Sequence, residues 1–552
     1  MKPYKSPGSD GLHAGFYQRF WLTVGDSVKK EVMRVFLDSK VPNYLNKTLI
    51  VLIPKIQWPE SIGNYRPISL CNSVYKIISK AIVNRLRPHL ENIVSPFQIA
   101  FIPGRRGTDN VIIVQELIHT IGRAKGRKGY MAIKIDLEKA YDRIEWSFIR
   151  EMLVKFNFPS KLTDIIMSCV SSVSTSLLFN GGCLESFQPS RGIRQGDPLS
   201  PYLFILCMEY LGHLIEDKCA AKAWIPVKTS RSGPSFSHLF FADDLVLFAE
   251  ADMENCIAIN EALQEFCSRS GVRKHDFDFV LDRVKKTLAG WKANLLSMAG
   301  RLVLIQAASS TIPNYVMQQA SLPNKILKGI DRVNRNFLRG SSDHARKMHW
   351  VNWDAITKPK KLGGLGLQSA KGRNTALLAK LNWRFHTEND APWVKVLKYK
   401  YCTRQRINSR NEANLPSSPT WKGMKIGEDT FKKGLKWIPG HESNLNFWAD
   451  CWSNLGSIRA LIQGPLPLDS ATLKLKDVIS MGRWDWSKIP FNLPLGIREE
   501  IQATLIPLIA RNNDKLAWKF SPKGSFDMGS AYLIASNLME AESFAGSWIW
   551  KL

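Results

Sequence analysis

With 552 residues and 45% apolar side chains, the chain is long enough for two to four domains and can fill their cores, which excludes a disordered protein. Lys and Arg number 76 against 48 Asp and Glu, a formal net charge of +28 whose self-repulsion a polyanion would offset, so nucleic acid is the default partner. The nine cysteines form no C-x-x-C pair, Met1–Gly8 has no apolar leader core, and no stretch offers about 18 uninterrupted apolar residues; the expectation is therefore no disulfide-linked partner, zinc knuckle, secretion or membrane span, and a place in the nucleus or cytoplasm.

In chain order, the loop Ser6–Gly11 leads into helical patterning through Phe16, Phe20, Trp21, Val28, Val32 and Phe36. Leu49–Lys55 reads as a strand and Asn64–Leu70 as its returning partner, which puts Lys55 and Arg66 on one small sheet. Arg through its fork and Lys as a point charge suit a triphosphate, although each alone also reads as a solvated cation. A helix follows from Val74 to Leu90, then the basic turn Pro103–Arg106, a helix over Asp109–Ile121 and a Gly/Lys-rich linker, Gly122–Gly129.

Tyr130–Asp136 is a strand ending in a carboxylate, and Leu137–Arg143 begins a helix. Asp136 therefore reads either as that helix's N-cap or as a site group at the sheet edge. The turn Pro189–Asp197 opens a helix at Pro198 with Asp197 as its N-cap; Gly196 would admit a phosphate backbone, and Gln195 a base or sugar. In Ser237–Phe248 two adjacent carboxylates, Asp243 and Asp244, divide two apolar runs, the pattern of a buried β-hairpin with a charged tip. An isolated Asp-Asp pair also fits a solvated turn. Like charges so close favour a bound cation, and Asp136 would complete a three-carboxylate cluster. Such a cluster can hold two Mg²⁺ ions, one activating an attacking 3′-hydroxyl and one steadying a leaving pyrophosphate. Later, Asn324–Arg339 is strongly amphipathic. Ile326, Ile330, Val333 and Phe337 form one stripe; Lys325, Lys328, Arg332, Arg335 and Arg339 lie roughly 160° away at about 100° per residue, either to track a duplex backbone or as a solvated face.

Seven blocks in order, Lys5–Gly11, Leu52–Lys55, Tyr65–Leu70, Ala100–Arg105, Lys134–Asp142, Arg194–Pro201 and Phe241–Asp244, resemble the reverse transcriptase of a plant LINE-type (non-LTR) retrotransposon. The resemblance implies an α+β right-hand polymerase whose palm β-sheet is backed by helices. Residues 1–129 would be N-terminal extension and fingers, 130–272 palm, 273–340 thumb, and 341–552 a mainly helical, Trp-rich connector cut short before a zinc-binding segment. It also implies an RNA template, a DNA primer, deoxynucleoside triphosphates, and two Mg²⁺ ions on Asp136, Asp243 and Asp244. Lys55 and Arg66 would grip the triphosphate, Tyr141 would screen the sugar 2′ position, and Gln195 and Gly196 would contact template and nucleotide. Leu288–Arg301 resembles the family's thumb region. Ahead of it Arg273–Phe279 passes almost directly into Val280, where the resemblance leads one to expect roughly fifty more residues, the size of a small subdomain. The expectation is a metal site that assembles beside a poorly held primer end. Two other readings stand: a relic that binds nucleic acid without polymerising, and a group II intron maturase-like enzyme, against which the Trp-rich tail argues.

Overall fold

The computed structural model describes residues 1–124, 129–230, 232–271, 273–275, 313–339, 351–402, 417–467, 470–480, 483–504 and 513–539. Two compact units divide the chain, Met1–Phe279 and Val280–Leu552.

The first unit contains the helices Ala14–Arg19 (α1), Trp21–Asp38 (α2), Ser73–Leu86 (α3), Gly107–Ile121 (α4), Trp146–Lys155 (α5), Ser160–Ser171 (α6), Ser200–Ala220 (α7) and Met253–Ser270 (α8). Its strands are Lys47–Pro54 (β1), Tyr65–Cys71 (β2), Tyr130–Glu138 (β3), Ser174–Phe179 (β4), Gly182–Cys183 (β5), His238–Phe241 (β6), Asp244–Glu250 (β7) and Arg273–His275 (β8). One sheet has the order β2-β1-β4-β5 and the other β8-β3-β7-β6. In the first, the β-branched run of β1 pairs antiparallel with β2, with Ile53 opposite Arg66, and parallel with β4. In the second, β3 and β7 are central and carry near-continuous apolar runs because helices cover them. Ile135, Leu137, Leu245 and Leu247 share one core with Leu203, Phe204 and Leu211 of α7. At roughly 1.5–3 kcal/mol per buried large side chain, this packing fixes where the sheet's charged end lies. α7 is apolar on nearly all sides and accordingly buried. α8 starts where Asp252 accepts the Asn255 N–H at 2.8 Å and stops at Gly271, φ +74.

Three local expectations are corrected. Strand β3 runs on through Glu138, and only the turn Ala140–Arg143 is helical beyond it, preceded by Lys139 at φ +48, so Asp136 is not an N-cap. α7 begins at Ser200 rather than Pro198; Asp197 lies three residues ahead, accepting the Leu199 N–H at 3.0 Å while its other oxygen binds Tyr75 and Arg194. Arg273–His275, read as the start of a passage straight into Val280, is a strand antiparallel to β3. Residues 276–312, including the thumb-like Leu288–Arg301, lie outside the described residues, as does the end of the chain from residue 540.

The second unit is mainly helical: Asn324–Arg339 (α9), Ala370–Thr387 (α10), Pro419–Gly434 (α11) and Met528–Ala535 (α12), with Leu435–Ile438 (β9) antiparallel to Lys515–Trp518 (β10). α10 and α11 approach closely because Gly427 carries no side chain: a Cβ there would stand 2.5 Å from the Leu378 carbonyl carbon. Trp393, Trp448, Trp452 and Trp518 are all fully buried, so these tryptophans are core filling.

Candidate active site

The hairpin β6–β7 turns through two residues, Ala242 and Asp243, with Phe241 opposite Asp244. Two-residue turns matched to strand twist need positive φ, and Ala242 sits at φ +56. His238, Leu239 and Phe240 are buried, so the tip charges stand at the end of a buried ribbon. Asp243 is half-buried; Asp244 is exposed and ion-paired with Lys134 Nζ at 3.1 Å.

The register of β3 against β7 sets Asp136 opposite Asp244, and β8 sets His275 opposite Asp136 from the other side. Directly opposed residues of an antiparallel pair have Cα atoms about 4.5–5.5 Å apart. The backbone therefore brings three acidic residues to one end of one sheet. Carboxylates are hard oxygen donors, so the donor chemistry at this end fits Mg²⁺.

Tyr141 follows on the turn after β3. Its ring stacks on Phe204 of α7, 4.5 Å between centroids and 15° between planes. Burial, and then the charge of Asp243, push its phenol well above the ordinary value, which keeps the hydroxyl protonated. Asp142 is also pushed up by burial; the Gln195 amide donates to its Oδ1 at 3.3 Å, and Lys139, Lys55 and Arg143 act on it electrostatically. Lys55, Asp142 and Gln195 thus share one neighbourhood.

Lys55 and Arg66 are both exposed at the open end of the β1–β2 hairpin, where the Lys55 ammonium donates to the Gly63 carbonyl at 3.1 Å. Gly196 has a reason to be glycine within its own chain: it lies at φ +120, and a Cβ would meet the Ser69 carbonyl oxygen of β2 at 2.7 Å.

The basic residues of α9 belong to the second unit. Lys325, Lys328 and Arg332 are exposed and Arg335 half-buried, whereas the side chain of Arg339 lies outside the described residues. The apolar stripe is placed differently from expectation. Leu327, Asn334 and Leu338 are buried and Ile330 half-buried, while Ile326 and Val333 are 50% and 45% exposed. The helix is set by its contact with α10, where Asp331 accepts the Ala370 N–H at 3.0 Å.

Two arginines within the family-like blocks have a supporting role that the sequence did not indicate. Arg194, in a loop that reads as surface, has a side chain only 11% exposed; it donates to Asn46 at 2.7 Å, Thr48 at 3.0 Å, the Cys169 carbonyl at 3.0 Å and Asp197 at 2.8 Å, and lies over Tyr75. Arg105, within the basic turn, donates to the carbonyls of Ser95 at 2.5 Å, Gln98 at 2.7 Å and Val94 at 2.9 Å. Both guanidiniums act as struts for their own chain.

Residues 53–276 match the family described as reverse transcriptase (RNA-dependent DNA polymerase). A putative ribonuclease H protein of Arabidopsis thaliana is 38% identical over 264 residues, 47% of this chain and 43% of that protein. An uncharacterised 149 kDa protein of transposon TX1 from Xenopus laevis is 29% identical over 504 residues, 81% of this chain and 36% of that protein. The Pol polyprotein of the type-2 retrotransposable element R2DM from Drosophila melanogaster is 29% identical over 269 residues, 49% of this chain and 24% of the polyprotein. The chain spans less than half the length of each of these relatives. It carries a reverse transcriptase domain, and proteins of retrotransposable elements are among its relatives.

Proposed function

We propose that this chain is the polymerase part of a plant LINE-type retroelement and extends a DNA primer on an RNA template with deoxynucleoside triphosphates, working in the nucleus or cytoplasm. The observation that carries this reading is the register that sets Asp136 against Asp244, with Asp243 at the adjoining turn, inside a matched reverse transcriptase domain. In the step itself, the primer 3′ oxygen bonds to the α-phosphorus and the bond from that phosphorus to the bridging oxygen breaks. Pyrophosphate leaves, and the hydroxyl proton passes to solvent.

Asp136, Asp243 and Asp244 would hold two Mg²⁺ ions, which when bound acidify the attacking hydroxyl and neutralise the leaving group. Lys55 and Arg66, exposed on a rigid hairpin, grip the triphosphate. Tyr141, braced by Phe204, screens the sugar 2′ position. Gln195 and Gly196 face template and nucleotide, with the Gln195 amide oriented by Asp142. Lys325, Lys328, Arg332, Arg335 and Arg339 follow the duplex backbone without sequence choice.

The test is extension of a DNA primer on an RNA template with Mg²⁺, comparing the parent with Asp243→Ala. Synthesis that disappears in the variant supports the reading. RNA binding with no synthesis by the parent overturns it in favour of a relic that only binds nucleic acid.

A further inference from the structure

The turn that carries Asp243 is held from outside the hairpin. Ala242 occupies a left-handed conformation that costs a non-glycine residue roughly 1–3 kcal/mol and persists only where the surroundings over-determine it. Here Ala242 is buried in the core, and its N–H is held by one amide. Gln98 is fully buried, and its Oε1 accepts the Ala242 N–H at 3.2 Å and the Ala100 N–H at 3.0 Å. Two donors converging on one atom fix the orientation of that amide, since the flipped form would set its NH₂ against both.

The loop carrying Gln98 is itself rigid and runs along β6. The Phe240 N–H donates to the Phe97 carbonyl at 2.9 Å, and the Ile99 N–H returns to the Phe240 carbonyl at 3.3 Å. A second buried amide, Asn110 of α4, donates to that same Phe240 carbonyl at 2.9 Å. Beneath, Arg105 gathers the Val94, Ser95 and Gln98 carbonyls, and Glu209 of α7 accepts the Ser95 N–H at 3.0 Å.

We infer that Gln98 is a positioning residue for the metal-binding hairpin: through the Ala242 N–H it fixes the turn from which Asp243 projects. This rests on the proposed metal-dependent polymerase. Replacing Gln98 by Leu leaves the Ala242 N–H a buried donor without an acceptor and removes the support for its positive φ, so the peptide linking Ala242 to Asp243 turns and carries the carboxylate with it.

The experiment measures Mn²⁺ affinity by electron paramagnetic resonance and primer extension for the parent, Gln98→Leu, Ala242→Gly and the double variant. Gln98→Leu is expected to weaken Mn²⁺ binding and lower kcat by about 10–100-fold, the range for groups that orient metal ligands, with little change in the nucleotide KM. The double variant should recover part of the loss, because glycine adopts φ +56 without strain. If Gln98→Leu lowers the melting temperature yet binds Mn²⁺ and turns over like a parent that does both, or if Ala242→Gly gives no rescue, Gln98 is only structural and the inference falls while the functional reading survives. A parent that neither binds Mn²⁺ nor extends a primer overturns both.

Discussion

Two charged hairpins stand in the first unit and are held in different ways. The β1–β2 hairpin presents Lys55 and Arg66 at an exposed end, and the Lys55 ammonium donates to the Gly63 carbonyl of its own loop. The β6–β7 hairpin presents Asp243 and Asp244 at a two-residue turn tied to buried groups from elsewhere, Gln98 and Asn110. On the proposed reading, long cations gripping a flexible polyphosphate would tolerate side-chain freedom, whereas short carboxylates holding an ion with near-octahedral demands would not, so the second hairpin would need support its own strands cannot give.

The comparison breaks most decisively at the tips. Asp243→Asn, which keeps the size of the side chain and removes its charge, should lower the rate of primer extension by at least about 10³-fold, roughly 4 kcal/mol at 1.36 kcal/mol per decade, with near-parental melting. The half-buried turn carboxylate next to Tyr141 has no substitute, and a variant within tenfold of the parent in extension kinetics would remove Asp243 from the site.

The next effect separates the bases of the hairpins. Under β1 lies Arg194, charged at any working pH, bound to Asn46 and Thr48. At β6 two groups titrate, Glu209 packed beside it and His238 within it. Burial pushes the Glu209 carboxyl up to about 7 and the His238 imidazole down to about 3. For Glu209 the native state binds the proton more tightly than the unfolded chain, so its contribution is complete below the unfolded value near 4.5 and is lost as pH rises through 7. His238 acts oppositely, since the unfolded chain takes up a proton first, and stability falls as pH drops from 6.5 towards 3. Glu209→Gln should therefore gain stability over the parent as pH rises from 5 to 8, by roughly 1–3 kcal/mol, read as a melting-temperature difference that widens with pH. A pH-independent difference would show that Glu209 is already ionised in the fold.

At the β1–β2 hairpin the expected effect is smaller. Lys55→Ala and Arg66→Ala should each raise the nucleotide KM about tenfold, the value of one charge-assisted hydrogen bond, and leave melting unchanged because neither side chain is buried. A fall in kcat at constant KM would mean that these cations are not ground-state contacts.

What sequence could reveal follows the same division. Both hairpins were legible, because apolar runs broken by polar segments have few other solutions, and Asp136 could be placed on its strand, although that strand runs two residues further than expected. Their external supports were not legible. Gln98 is a lone amide between apolar neighbours, Phe97 and Ile99, and Arg105 lies in a basic turn; such polar side chains are ordinarily solvated, and only tertiary contact turns them into struts. The α9 stripe shows the limit of periodicity. Leu327, Ile330, Val333, Phe337 and Leu338 are all apolar, so several faces qualify, and the contact with α10 selected the one that also buries Asn334.

The smallest effect distinguishes the two adjacent aspartates from each other. Asp244 differs from Asp243 in being exposed and paired with Lys134, whose ammonium at 3.1 Å competes with any cation for the same oxygen. Half-exposed pairs of this kind contribute about 0–1 kcal/mol, so removing the lysine charge should cost little stability. It should also free the carboxylate. Lys134→Met is therefore expected to bind Mn²⁺ up to about fivefold more tightly than the parent, the factor that 1 kcal/mol allows, with a steeper gain at low ionic strength, where an exposed pair is least screened. Weaker binding in this variant would mean that Lys134 helps to hold Asp244 in place for the metal, and the two hairpin tips would then differ less than their burial suggests.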